Sequence, residues 1–359
     1  MKKTFSVASV AVLLLGAAVS SRAQNWDHGV SLFNQKQYRE AIREFHGVLR
    51  SNPGYWQAWY FIGFGHFQLK EYEDAVDSFQ SYIKGAAGHE KEQSSGYYYS
   101  GFSYYQMKQY DRAIPALVRY MSLSEKLQQR ADPSARAALG RSYIFTDHYA
   151  EAIPVLTAAA GEMKTNANNY YYLGFAQRKL GHEDQAVTAF NQALAIDPRD
   201  ADSLGSLAEI YLARSRQTPA AVKQAVSIGE RLIAVKNDEQ AWGVLGQAYL
   251  ADQQYAKAAA LLDKYAKAHA DSSAAWYNLG VSLSRSEQWK PAEQALEQAV
   301  KVTPTNNAAL LELGYVYESD KQLDKALAVY KRAYDASGGK DDNARASMDR
   351  VKQSMQKPE

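Results

Sequence analysis

Two columns of small residues, each nine members deep, constrain this chain more than any other feature in it. The first runs Gly29, Gly63, Gly101, Gly140, Gly174, Ala208, Gly246, Gly280 and Gly314. The second runs Ala41, Ala75, Ala113, Ala152, Ala186, Ala225, Ala258, Ala292 and Ala326. Each alanine follows its partner by 12 positions, except Ala225, which lies five further on. Members of the first column are 34 residues apart five times in eight, and 38 or 39 apart otherwise. Around the columns the apolar residues keep helical spacing. Tyr170, Leu173, Gly174 and Gln177 fall at i, i+3, i+4 and i+7. Ala186, Phe190 and Ala193 form a second stripe after a turn at Leu180-Gly181-His182, ended by Asp197-Pro198. The pattern predicts helix pairs whose backbones pass close where the side chains are small. One pair cannot bury its own apolar faces, so the pairs must stack.

A period of 34 with a large residue four before the glycine resembles the tetratricopeptide repeat (TPR). Trp59-x-x-Ile62-Gly63, Trp242-x-x-Leu245-Gly246 and Trp276-x-x-Leu279-Gly280 carry the resemblance at the openings of repeats. Asn52-Pro53, Asp197-Pro198 and Thr303-Pro304 carry it at the ends, and it extends from Asn25 to about Ala336. It implies an all-α, right-handed superhelix of nine helix pairs. Asp342 to Gln356 is expected to form a capping helix with the stripe Ala344, Met348, Val351 and Met355. The organisation expected is residues 1–23 as a signal peptide, 24–217 and 218–337 as two runs of repeats, and 338–359 as cap and tail.

Residues 1–23 read as a bacterial secretory signal: a basic start at Lys2-Lys3, an apolar run from Val7 to Val19, and small residues ending at Ala23. The run is too short to span a bilayer, and with no cysteine in the chain there is no lipobox, disulfide or cysteine nucleophile. A periplasmic or secreted location is expected, with no transmembrane segment in the mature chain. The 41 basic and 39 acidic residues leave a net charge of +2, no electrostatic case for nucleic acid.

Some local features are also legible. Asn25 is expected to cap the first helix. The stretch 85–92 reads as a linker longer than the usual turn. Pro115 and Pro154 sit early in second helices, where slight kinks are expected. Repeat six carries its insertion near Arg214 to Gln217, a candidate hinge, and Thr218-Pro219 reads as N-cap and N1 of the helix that follows.

No constellation for catalysis stands out. No two histidines have metal-ligand spacing on one helix and none sits by a cysteine, and Glu71, Glu73 and Asp74 read as solvated turn residues. There is no Walker loop, nucleophile elbow or complete calcium loop. The expectation is a non-enzyme with no metal and no cofactor.

The remaining signal is aromatic: 26 Tyr, 11 Phe and 6 Trp. In the family resembled, positions five, nine and twelve of each repeat line the concave groove. The resemblance therefore implies Tyr60, Phe64 and Phe67 from repeat two, Tyr98, Phe102 and Tyr105 from repeat three, Arg141 from repeat four, and Tyr171, Phe175 and Arg178 from repeat five as partner-binding residues. The same positions turn smaller in later repeats, apart from Tyr277 and Tyr315. Tyr60 with Phe64 replaces the Lys and Asn by which one subtype grips a terminal carboxylate, so that mode is excluded. The implied partner is an apolar, aromatic-rich segment of another envelope protein. Two other uses of the groove remain open: glycan or peptidoglycan binding, with Gln57, Gln68, Gln106, Asn168 and Arg141 reading hydroxyls, and homo-oligomerisation. A further alternative is that the rings fill space between neighbouring first helices.

Overall fold

A computed structural model describes residues 21–356. The expected signal segment lies almost wholly outside them. Among the described residues there are 19 helices and no strand, and they divide into two compact units between Met163 and Lys164.

The first unit contains α1 (Ser21–Asn34), α2 (Tyr38–Ser51), α3 (Gln57–Gln68), α4 (Tyr72–Gly85), α5 (Glu90–Gln106), α6 (Tyr110–Lys126), α7 (Pro133–Phe145) and α8 (Tyr149–Glu162). The second contains α9 (Ala167–Lys179), α10 (Glu183–Ile196), α11 (Ala201–Arg214), α12 (Pro219–Val235), α13 (Glu239–Ala251), α14 (Tyr255–Ala268), α15 (Ser273–Arg285), α16 (Trp289–Val302), α17 (Asn307–Ser319), α18 (Leu323–Ala336) and α19 (Asp342–Gln356). Each odd helix from α1 to α17 pairs with the even helix after it, and within a unit each even helix packs on the next odd one. Successive odd helices also meet, as α3 with α5 and α5 with α7, or α11 with α13 and α15 with α17. No even–even pair packs comparably among the described residues. The odd helices therefore form the inner, shorter side of each unit.

The glycine column sets the crossing within each pair. A Cβ added at Gly63 would lie 3.0 Å from the Phe79 ring, at Gly280 2.5 Å from Leu296 Cγ, and at Gly314 2.4 Å from Tyr330 Cε1. In every case the obstacle is the side chain four residues after the alanine column: Phe45, Phe79, Leu117, Leu156, Phe190, Leu262, Leu296 and Tyr330. Repeat six inverts the sizes. Its first-column residue is Ala208, and the position four after Ala225 is Gly229. The alanine column is buried throughout, from Ala41 to Ala326. The core follows as a series of clusters along the chain, such as Ala41, Phe45, Val48 and Ile62 in the first unit and Leu296, Leu310, Leu313 and Tyr330 in the second.

Eight of the nine hairpins turn the same way. The residue at the turn has positive φ (Lys36, Lys70, Lys108, Asp147, Gly181, Gln253, Glu287 and Lys321). The next N–H bonds back five residues, as Gln37 to Leu32 at 2.9 Å and Gln322 to Tyr317 at 2.8 Å, which closes the helix C-terminus as a Schellman motif. The α11–α12 hairpin lacks this turn. The insertion there lies inside the second unit. Thr218 occupies the N-cap of α12 without a side-chain capping bond, and Pro219 is at N1.

Two local expectations need correction. α1 already runs from Ser21, so Asn25 lies within a helix and caps nothing. The stretch 85–92 is not one long linker, because Glu90 to Glu92 open α5, which reaches 17 residues. The wider repeat spacing thus goes into longer helices, α6 also having 17 residues. α6 and α8 run on through Pro115 and Pro154, both exposed, where water can meet the carbonyl left without an N–H partner. The last helix has the stated bounds: Ala344 and Val351 are fully buried, Met348 packs on the terminal cluster, and Met355 is exposed.

Gly280→Ala is expected to lower the urea midpoint of unfolding, with a loss of about 1–3 kcal/mol from overpacking. Combined with Leu296→Ala, the total loss should fall short of the sum of the two single losses.

Candidate partner-binding surface

The site residues of repeats two and three stand on α3 and α5, adjacent odd helices of the first unit. α3 is apolar around most of its circumference because it has an odd neighbour on each side. Toward α1, Phe61 meets Trp26 at 5.3 Å and Phe33 at 5.1 Å, and Phe64 meets Phe33 at 5.4 Å. Toward α5, three of its rings converge on Tyr99. Tyr60, Phe64 and Phe67 lie 6.1, 5.1 and 5.4 Å from the Tyr99 ring, all edge-on. Tyr99 also stacks on Phe79 at 5.3 Å and 14°, and touches Tyr98 at 4.9 Å. Tyr98 in turn meets Phe102 at 4.8 Å and Tyr120 at 5.1 Å. Tyr105 contacts Tyr110, which stacks on Phe145 at 4.6 Å.

Tyr60, Phe64, Phe67, Tyr98, Phe102 and Tyr105 are all half-buried. Each gives part of its surface to neighbouring rings and keeps part in solvent. Burial pushes the Tyr60, Tyr98 and Tyr99 hydroxyls above the ordinary phenol range, so all three stay protonated at neutral pH. Two members of this surface escape a reading of positions five, nine and twelve. Tyr99, the hub, sits at position six; Phe145, 46% exposed, sits beyond position twelve. The run Tyr97-Tyr98-Tyr99 was the available signal for the first.

Arg141 is half-buried on α7. Tyr171, Phe175 and Arg178 belong to the second unit, on α9. Tyr171 contacts Tyr172, Phe175 and the core ring Phe190, and burial is the main reason its hydroxyl is pushed up to about 12. Arg178 is committed within the chain: its Nη1 donates to Glu209 Oε2 at 2.8 Å, and Gln240 Nε2 donates to the other Glu209 oxygen at 3.0 Å. Side-by-side odd helices bring position nine of one repeat to position twelve of the repeat before it. Tyr315, an isolated exception in sequence, is 42% exposed with the Arg285 guanidinium 5.4 Å from its ring.

One histidine departs from expectation. His66, Glu71 and Asp74 each bring a ligand-type atom within 4.8 Å of the others. Glu71 is not a solvated turn residue. Its Oε2 lies 2.8 Å from His66 Nδ1, and its Oε1 takes an ion pair from Arg39 at 2.8 Å. The bond to His66, more than any other contact, holds the Glu71 carboxyl below its usual range.

Hairpins that stack in chain order, with a small residue at each crossing, define a helical-repeat solenoid, an architecture that suggests a protein–protein interaction scaffold. The chain is a tetratricopeptide-repeat protein: models of that repeat match residues 27–90, 277–341 and 167–200. A model of subunit 3 of the anaphase-promoting complex (cyclosome) matches residues 219–299. Solved structures share the fold. YrrB, described as a TPR protein with an unusual peptide-binding site, is 17% identical, with a TM-score of 0.50 over 54% of this chain and 97% of its own. The C-terminal part of a TPR repeat-containing protein from Cytophaga hutchinsonii is 16% identical, with a TM-score of 0.50 over 69% and 98%. A MamA structure is 21% identical, with a TM-score of 0.44 over 48% and 93%. No curated protein matches the chain. Among the described residues no helix is long and apolar enough to cross a membrane.

Tyr99→Ala should destabilise the protein by about 3 kcal/mol, on the scale of large aromatic truncations, and by more than Phe102→Ala, as read by chemical denaturation. Glu71→Gln should lower the melting temperature at pH 7. Because the Glu71 carboxyl is depressed in the fold, its contribution is present above the ordinary carboxylate range and lost below it. The variant and the wild type should therefore converge as pH falls through and below the ordinary carboxylate range.

Proposed function

We propose that this protein is a non-catalytic interaction scaffold of the bacterial cell envelope, and that it holds an apolar, aromatic-containing segment of a partner on the odd-helix face of its first unit. The observation that carries the reading is the row of half-buried rings from Tyr60 to Tyr105. A solitary half-buried ring is unremarkable, but six on two adjacent helices bring partly solvated apolar surface together in one place, and such clustering marks interaction sites more often than scattered rings do. Leaving such rings in water forgoes part of the ~1.5–3 kcal/mol each would gain on full burial. Tyrosine also suits docking, with large area, few rotors and a hydroxyl for the partner's backbone. YrrB, which shares the fold, is described as binding peptide.

Ring geometry favours a peptide over a glycan. The pairs on α3 and α5 are edge-on or tilted, as Tyr98–Phe102 at 55° and Phe64–Tyr99 at 83°, and so offer clefts rather than a flat deck for sugar rings; the stacked pair Tyr110–Phe145 lies at the edge of the surface. The envelope assignment rests on residues 1–23, whose order of basic, apolar and small residues is that of a secretory signal.

The test is crosslinked capture from envelope extract with the wild-type protein and with Phe102→Ala/Tyr105→Ala, its fold checked by circular dichroism. The folded variant is expected to lose partners that the wild type recovers, and the recovered wild type should begin at Gln24. Equal recovery by both overturns the surface; a retained N-terminal segment in a cytoplasmic fraction overturns the location.

A further inference from the structure

The turn between α3 and α4 differs from its counterparts in the residues that flank it. In each hairpin with the positive-φ turn, one N–H donates to the carbonyl five residues back, and that bond fixes which residues are equivalent. The carbonyl belongs to His66 here and to Leu, Tyr or Gln in the others, as in Leu32, Tyr104 and Gln177. The N–H belongs to Glu71 here and to Gln or His in the others, as in Gln109 and His182. Three positions further on stands Asp74, where other hairpins carry Arg112, Lys257 and Lys325. Among these hairpins only α3–α4 has His, Asp or Glu at all three positions. Repeat two thus departs from its own chain's pattern in a way that gathers donor side chains at one turn.

The fold brings the three together from two helices. His66 lies in the last turn of α3, Glu71 is the N-cap of α4, and Asp74 is in the first turn of α4. His66 Nδ1 is 2.8 Å from Glu71 Oε2, and one ligand-type atom from each residue lies within 4.8 Å of the others. Two ligands at about 2.1 Å from one tetrahedral cation stand about 3.4 Å apart, so modest side-chain rotations seat all three. The His66 ring is largely enclosed, its side chain 18% exposed, whereas Asp74 is exposed and opens the position to water.

We infer that His66, Glu71 and Asp74 bind a first-row divalent cation of the Zn2+ type, His66 through Nδ1 and each carboxylate through oxygen, with water completing the coordination. One imidazole with two carboxylates suits Zn2+ and its transition-metal neighbours, whereas Ca2+ and Mg2+ take oxygen ligands. The cation takes the place of the His66–Glu71 hydrogen bond, with Nδ1 lending its lone pair and the ring proton on Nε2. Arg39, at 2.8 Å from Glu71 Oε1, already balances part of the negative charge from α2, and its side chain is 68% exposed. Bound there, the cation ties the end of α3 to the start of α4, and it stabilises the fold by mass action because the unfolded chain lacks the site.

The test is calorimetric titration of ZnCl2 into the untagged, chelator-stripped full chain at neutral pH, with thermal melts in the presence and absence of zinc. One zinc per chain is expected, with a melting temperature that rises on zinc addition. Asp74→Asn and His66→Gln should each weaken binding about tenfold or more, at least the cost of losing a residue that merely supports a ligand. Asp74 is exposed, so its variant reports on the site even if His66→Gln fails to fold. Nitrogen NMR of the histidines should show His66 Nδ1 metallated. No measurable binding, or equal binding by wild type and Asp74→Asn, overturns the inference. So does zinc found only on histidines other than His66, or Ca2+ or Mg2+ displacing zinc at equal concentration.

Discussion

The close crossing of two helix backbones at the glycine column is the contact on which the rest of the structure depends. At Gly63, Gly101, Gly140, Gly174, Gly246, Gly280 and Gly314 the first helix of a pair presents no Cβ to the ring or leucine opposite it. That absence lets Phe79, Leu117, Leu156 and their counterparts reach full burial between two helices. A glycine inside a helix is unfavourable by about 1 kcal/mol relative to alanine, so its repetition is intelligible only through the packing it permits. Repeat six keeps the volume by exchange, with Ala208 in the glycine column and Gly229 where the large residue would stand. Conserved volume with swapped residue sizes is how close-packed interiors tolerate change.

The aromatic residues of the first unit have two physical roles at once. Tyr99 binds α3 to α5 through three α3 rings and reaches the core ring Phe79 behind them. Rings that pack successive odd helices together therefore also supply the surface proposed for a partner. The sequence-level alternatives, space-filling and docking, are not exclusive, because a ring on the inner side of a stack has one side toward its neighbour and one toward the opening. Substitutions at the hub act on the fold first. Those at Phe102 and Tyr105, further from it, act on the surface with less effect on the stack.

The two units solve the same packing problem with different chemistry on their inner faces. In the first, α1, α3 and α5 adhere through uncharged rings. In the second, Arg178 with Glu209 and Arg285 with Glu312 join successive odd helices through ion pairs, the latter bidentate and partly buried. Such pairs contribute geometry and selectivity more than net stability. The His66–Glu71–Arg39 cluster plays a comparable joining part in the first unit, but at the hairpin turn rather than on the inner face.

The sequence alone determined the number of helices, their pairing, the capping helix and the small-residue crossings. Those properties rest on helical periodicity and on residue size, and both repeat within about one pair's length of chain. It also singled out the aromatic positions on α3 and α5. Tertiary structure decided what those positions touch. Tyr99 as hub, Glu209 beside Arg178, and Glu71 between His66 and Arg39 depend on how neighbouring repeats are set side by side, which no local pattern encodes. The same holds for the division at Met163, far from the insertion in repeat six. A polar residue such as Asn25 reads as a cap because capping is a local signal, and only the folded chain shows that the helix already runs from Ser21 before it.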